Sequence, residues 1–125
     1  MLGQINAVAN LAVKDLGRAK TFYERTLGLK EVDHMDEDVS VLKSGDTVIN
    51  VYRSEYAGTN KATAVTWAVG GKIDRLVEEL RAKGVTFEHY DMPDVRLEGD
   101  VHVFGDLRVA WFKDPDGNIL NLINQ

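Results

Sequence analysis

NAVANLAVKDLGRAKTFYERTLGLKEV, residues 6–32, reads as a strand, a helix, a glycine stop and the start of a second strand. Ala7, Ala9, Leu11 and Val13 alternate with Asn6, Val8, Asn10 and Ala12, the period of a half-buried strand. Asp15 suits an N-cap, where a side-chain oxygen accepts from the free amides of the first helical turn. Leu16, Ala19, Tyr23 and Leu27 then recur at helical spacing, and Gly28 stands where a helix can end in the left-handed region. The same order returns in TAVTWAVGGKIDRLVEELRAKGVTFE, residues 63–88. Setting Val13 against Val69 also sets Gly28 against Gly84 and Leu29 against Val85. The second copy carries the helical stripe Ile73, Leu76, Val77 and Leu80, and its strand alternates Val65, Trp67, Val69 against Ala64, Thr66, Ala68. An internal repeat dictates architecture before any other feature does.

Short strands are expected after each helix. In the first copy they fall at 29–34, 39–43 and 47–53, with SGD (44–46) as a hairpin turn. In the second they fall at 85–90, 100–104, 107–113 and 118–123, with DPDGN (114–118) as the turn, because Pro presets one dihedral and Gly permits positive φ. The second copy is longer by a loop, roughly Asp91 to Gly99. Two modules are therefore expected, 1–55 and 62–125, joined by the polar tract 56–61. A module of about 60 residues is marginal alone, so the twins are expected to pair. The expected fold class is α+β: two βαβββ modules pairing into a curved mixed sheet with helices on the outer faces. Alternation puts Leu11/Val13, Val65/Trp67/Val69, Ile49/Val51 and Leu120/Leu122 under the helices. The opposite sets, Asn6/Val8/Asn10, Val48/Asn50/Tyr52, Ala64/Thr66/Ala68 and Ile119/Asn121/Ile123, then line a cavity. A mixed polar and apolar lining is that of a small-molecule pocket.

Composition narrows the function classes. The 125 residues are 44% hydrophobic and 28% charged, as in an ordinary globular domain. The net charge of -5, with acids and bases interspersed, argues against nucleic acid, which needs a basic patch. With no cysteine, the chain has no disulfide, thiolate metal ligand or cysteine nucleophile. The N-terminal MLGQINAVANLAV has no basic flank and carries Asn inside its apolar run, so neither a signal peptide nor a membrane span is expected. The expected location is cytoplasmic. No Gly-x-Ser-x-Gly, phosphate loop or dinucleotide fingerprint occurs.

VKDLGRAKTFYERTLGL (13–29), followed about 85 residues later by AWFKDPDGNILNL (110–122), resembles the vicinal oxygen chelate superfamily. That group includes glyoxalases, extradiol dioxygenases, methylmalonyl-CoA epimerases, fosfomycin resistance enzymes and bleomycin resistance proteins. The resemblance covers nearly the whole chain and is almost silent on activity, since the fold hosts many chemistries. It implies paired βαβββ modules, often dimeric, with a site inside the curved sheet. It also implies a divalent ion held by a His seven residues before the Asp that begins the first helix, its counterpart in the second module, and a Glu on the last strand of each module. Here those places hold Val8, Ala64, Asn50 and Asn121. Val and Ala cannot ligate, and a neutral amide is a weak ligand, normally supplementary to carboxylates. The expectation is no metal site and no cofactor.

Asn50 and Asn121 can each donate and accept, which suits a polar neutral or aromatic ligand. Asn10, Tyr52 and Thr66 share their predicted face, and Trp111 is expected to be a stacking wall beside them. Trp67 falls on the helix side by parity. His102, in the inserted segment, is expected at the cavity lip and is the best general-base candidate, though a lone His is more often structural. Glu88 and Tyr90 are weighed the same way, and no residue is assigned a catalytic role. His34, in DHMDED, reads as part of a solvated turn rather than a calcium loop.

Three functions compete on these residues. The first is a metal-free binder of a small organic molecule, aromatic ligands included. The alternative is an enzyme of the same superfamily, lyase, isomerase or dioxygenase-like, using non-standard metal ligands such as His102 or Glu88, or metal-free acid–base chemistry. The third is a structural or regulatory dimer with a vestigial cavity. A homodimer is expected in each case, because an exposed sheet edge invites pairing.

Overall fold

A strand that must run parallel to its neighbour needs a crossover, and in this chain a helix supplies it twice. The computed structural model describes residues 1–125, and these form two compact units, Met1–Thr59 and Asn60–Gln125.

The first unit comprises β1 (Ala9–Val13), α1 (Leu16–Lys20), a wider π-type helical segment over Thr21–Thr26, β2 (Lys30–Met35), β3 (Val39–Ser44) and β4 (Thr47–Arg53). The sheet order is β1-β4-β3-β2, with β1 parallel to β4 and the other pairs antiparallel. The Asp15 carboxylate accepts from the Arg18 amide at 3.0 Å and so starts α1. Gly28, at φ +83, ends the helical run in a region that a Cβ disfavours. Leu11, Val13, Leu42, Ile49 and Val51 are buried with Ala19 and Tyr23 of the helical run, and α1 contacts β3 and β4. Buried Ser40 donates to the Glu31 carboxylate, which also meets Lys20 at 3.1 Å. That hydrogen bond from Ser40 is the largest cause holding Glu31 below its ordinary value.

The second unit repeats the plan with an addition. It comprises β5 (Thr63–Ala68), α2 (Ile73–Ala82), β6 (Phe87–Glu88), β7 (Arg96–Glu98), β8 (Val101–Phe104), β9 (Leu107–Lys113) and β10 (Ile119–Ile123). The order is β5-β10-β9-β8-β7, with β5 parallel to β10, as β1 is to β4. One edge of β9 is shared: β6 pairs with its Trp111 and Phe112, and β8 with its first three residues. Gly84, at φ +95, ends the second helical segment as Gly28 ends the first. Arg108 of β9 reaches Asp74 of α2 at 2.8 Å and Glu98 of β7 at 2.7 Å, so the even-numbered side of β9 faces α2.

Two expectations change. β1 begins at Ala9, not near residue 6, so Asn6 and Val8 precede the sheet and Val8 is 39% exposed. The added segment is not only a loop. Its residues Arg96–Glu98 form β7, which pairs antiparallel with β8 and extends the sheet beyond β9. Arg-Leu-Glu is too short and too polar to show strand periodicity, and its neighbour alone makes it a strand. No helix is long and apolar enough to cross a membrane. The chain is of mixed α+β class, with two sheets and few helices.

Candidate functional site on the second sheet

Because side chains alternate along a strand, Ala110, Phe112, Leu120 and Leu122 share one face of the second sheet while Val109, Trp111, Ile119, Asn121 and Ile123 share the other. Phe112 is fully buried, edge-on to Phe87 with centroids at 5.6 Å and stacked with Trp67 at 6.4 Å. Trp67 thus lies on the helix side. On the opposite face, register sets Asn121 beside Trp111 of β9 and Thr66 of β5. Glu88 pairs with Trp111, and His102 with Val109, so these too belong to the face away from α2.

Trp111 organises the aromatic part. Its ring stands edge-to-face with His102 at 4.9 Å and Tyr90 at 5.4 Å, and Phe104 lies at 6.4 Å. Such geometry matches the ring quadrupoles. Its indole Nε1 donates to Thr63 Oγ1 at 3.1 Å, which holds the ring against β5. Beside it Lys113 and Glu88 neutralise each other at 3.0 Å.

His102 does not lip a loop. It sits within β8, 0% exposed, and its Nε2 accepts the Tyr90 backbone amide at 2.9 Å. An amide can donate only to an unprotonated ring nitrogen, so the ring hydrogen is on Nδ1, which is buried without a hydrogen-bond partner. Burial is the main cause that pushes the imidazole below its ordinary value; the Val109 backbone opposes it and nearby His89 adds to it. With its lone pair committed, the ring is a neutral prop that positions Tyr90 and Trp111, and the general-base reading loses its physical basis. The consequence can be measured. The unfolded chain takes up a proton near pH 6.5 that the folded chain resists, so stability is full above that pH and falls below it. Just below pH 6.5, and above the carboxylate range, stability should fall as the pH falls, with about 1.4 kcal/mol per pH unit as the ceiling that one proton sets. Urea titrations across that window check it, and His102→Gln, whose amide oxygen can take the Tyr90 amide, should flatten the slope.

Asn121 is 7% exposed and its Oδ1 has no hydrogen-bond partner. Asn50 is its topological equivalent, on the last strand of the other unit and next to the strand parallel to it. Its fate differs. Asn50 Nδ2 donates to Asn10 Oδ1 at 3.3 Å, and Asn10 Nδ2 to the Val8 carbonyl at 3.4 Å, on a face where Tyr52 is exposed. The seven expected site residues therefore divide: Asn10, Asn50 and Tyr52 lie on the first sheet, and Thr66, His102, Trp111 and Asn121 on the second. Sequence reasoning missed the aromatic role of Tyr90, which lies just past β6 and follows no periodic pattern.

The places implied for metal ligands do not fit an ion. Val8 and Ala64 have no donor, Asn50 is engaged with Asn10, and Asn121 offers one neutral oxygen. No group of three or more His, Cys, Asp or Glu side chains is placed to hold a metal.

Comparison with known proteins agrees with this architecture. The family model described as Glyoxalase/Bleomycin resistance protein/Dioxygenase superfamily matches residues 4–122. The fosfomycin resistance protein FosX from Listeria monocytogenes is similar with a TM-score of 0.74 at 16% identity, over 97% of this chain and 91% of that one. FosX from Mesorhizobium loti gives 0.70 at 16%, over 98% and 92%. A putative glyoxalase family protein from Bacillus anthracis gives 0.65 at 20%, over 98% of both chains. Among curated proteins, none matches the sequence. At these identities the likeness shows the fold.

Proposed function

The chain belongs to the Glyoxalase/Bleomycin resistance protein/Dioxygenase superfamily, and on that premise we propose that it binds a small, neutral, planar organic molecule without a metal ion. The observation that carries the reading is Asn121: a buried amide with an unpartnered oxygen stands beside Trp111 where the family places a charged metal ligand. A carboxylate there would suit a dication. An amide flanked by an aromatic ring suits an uncharged guest.

The lining supports neutrality. His102 is kept uncharged by burial, and Lys113 is held by Glu88. Fosfomycin, which appears in the names of the FosX neighbours, is a phosphonate anion and would need a cationic partner that this face does not offer free. It is the negative control.

Thermal-shift titration of chelator-treated protein with indole, coumarin and benzimidazole tests the proposal. A ligand at 100 times its Kd stabilises by about 2.7 kcal/mol, well within detection. At least one planar probe should raise the Tm, and fosfomycin should leave it unchanged. A rise with nickel, zinc, iron or manganese salts and none with planar probes would overturn the reading in favour of a metal-dependent enzyme.

A further inference from the structure

We infer that the ligand presents a hydrogen-bond donor, a ring N–H or O–H, to Asn121 Oδ1 while its ring lies against Trp111. The inference rests on the proposed function and specifies the polar edge of the ligand. Two donors on this face are already committed. The indole Nε1–H of Trp111, directly across from it, donates to Thr63 Oγ1 at 3.1 Å, and the Tyr90 amide donates to His102. Thr66, across β5, is exposed, and its hydroxyl makes no hydrogen bond to the Asn121 oxygen. Ile119 and Ile123, next along the strand on the same face, offer only hydrocarbon.

A carbonyl oxygen left so is unsatisfied in the free protein, and buried polar atoms are paired in the great majority of cases. Its complement is a donor brought from outside. The oxygen is shielded in the free protein; the terminal torsion of an asparagine is a soft rotor, and binding requires the amide to turn toward the incoming donor. Trp111 adds the second requirement. Its ring is half-buried, with His102 and Tyr90 already packed against it in T-shaped contacts. The remaining ring surface favours a planar partner, stacked with an offset or edge-on. A carboxylate or phosphate would face the Asn121 oxygen with like polarity. A planar N–H or phenolic O–H heterocycle meets both demands.

Benzimidazole and 1-methylbenzimidazole share a ring and differ in the one donor, so titration calorimetry with the pair isolates it. Wild-type protein should bind benzimidazole about ten-fold more tightly, the factor that about 1.4 kcal/mol represents. In Asn121→Leu, of similar volume without the oxygen, the two affinities should converge while binding persists. In Trp111→Ala both should weaken. Equal binding of the pair by wild-type protein, or preference for the methylated probe, overturns the donor inference and leaves the proposed function standing. Failure of both probes, together with failure of the wider planar panel, ends both. Should Asn121→Leu not fold, the comparison in wild-type protein still decides.

Discussion

Phe112→Ala should cost the protein about 3–5 kcal/mol, the range for truncating a fully buried aromatic. Phe112 is 0% exposed and joins Phe87, Trp67 and the helix-facing aliphatics into one core. The neighbouring substitution should behave differently. Trp111 points to the other face and is half-buried, so Trp111→Ala should cost roughly half as much. For ligand binding the order reverses, because Trp111 belongs to the proposed site and Phe112 does not touch it. Urea denaturation and probe titration on the two variants supply the four numbers. If Trp111→Ala proves the more destabilising, or Phe112→Ala alone abolishes binding in protein that is still folded, the assignment of the two sheet faces is wrong. A domain's total stability is about 5–15 kcal/mol, so the Phe112 variant should be read at low temperature.

Asp114→Ala should cost on the order of 3 kcal/mol and weaken the site as well. Asp114 is buried, yet its carboxylate is fully employed. Its Oδ1 accepts the backbone amides of Asp116 and Asn118, each at 2.9 Å, and its Oδ2 accepts Asn118 Nδ2 at 2.8 Å. Hydrogen bonds to a charged group contribute about 1.5–3 kcal/mol, and removing the acceptor leaves those amides without their carboxylate partner. The turn it shapes joins β9 to β10 and sets Trp111 opposite Asn121. Loss of the turn therefore loosens the register on which the site depends, and a one-residue slip would exchange the two faces. Asp114→Asn keeps an acceptor for the amides and should recover more than half of the stability. Comparable losses in both variants would mean that the charge, and not the turn geometry, matters.

Much of this was legible in the chain. The repeated strand–helix–glycine order located both helical segments, and Asp15, Gly28 and Gly84 act at the positions where capping chemistry requires them. Period-two alternation placed Phe112 and Leu120 apart from Trp111 and Asn121. It did so because β9 and β10 are interior strands with one face buried, where register is strongly specified. The resemblance carried by the DL…FY…LG and DPDGN motifs is the family that the chain belongs to.

Other features were beyond reach. The residues of β7 are all exposed and polar enough to pass for loop, and only the edge of β8 makes them a strand. Asn10, Asn50 and Tyr52 lie on the sheet of the first copy and Thr66, His102, Trp111 and Asn121 on that of the second, and parity, which says which side of a strand a residue faces, says nothing about the distances among them. His102, expected at a cavity lip as the best general-base candidate, is instead buried within β8 with its Nε2 accepting the Tyr90 amide.

The sequence by itself determined the elements, the faces and the absence of charged donors at Val8, Asn50, Ala64 and Asn121, since those follow from residue type and period alone. Only the tertiary structure decided that Asn50 is satisfied and Asn121 is not. Two like residues at equivalent strand positions differ through their neighbours across the sheet: an amide stands beside one, an indole with its donor already engaged beside the other. Hydrogen-bond satisfaction is a property of pairs of groups in space, and a linear chain carries only one member of each pair at a time.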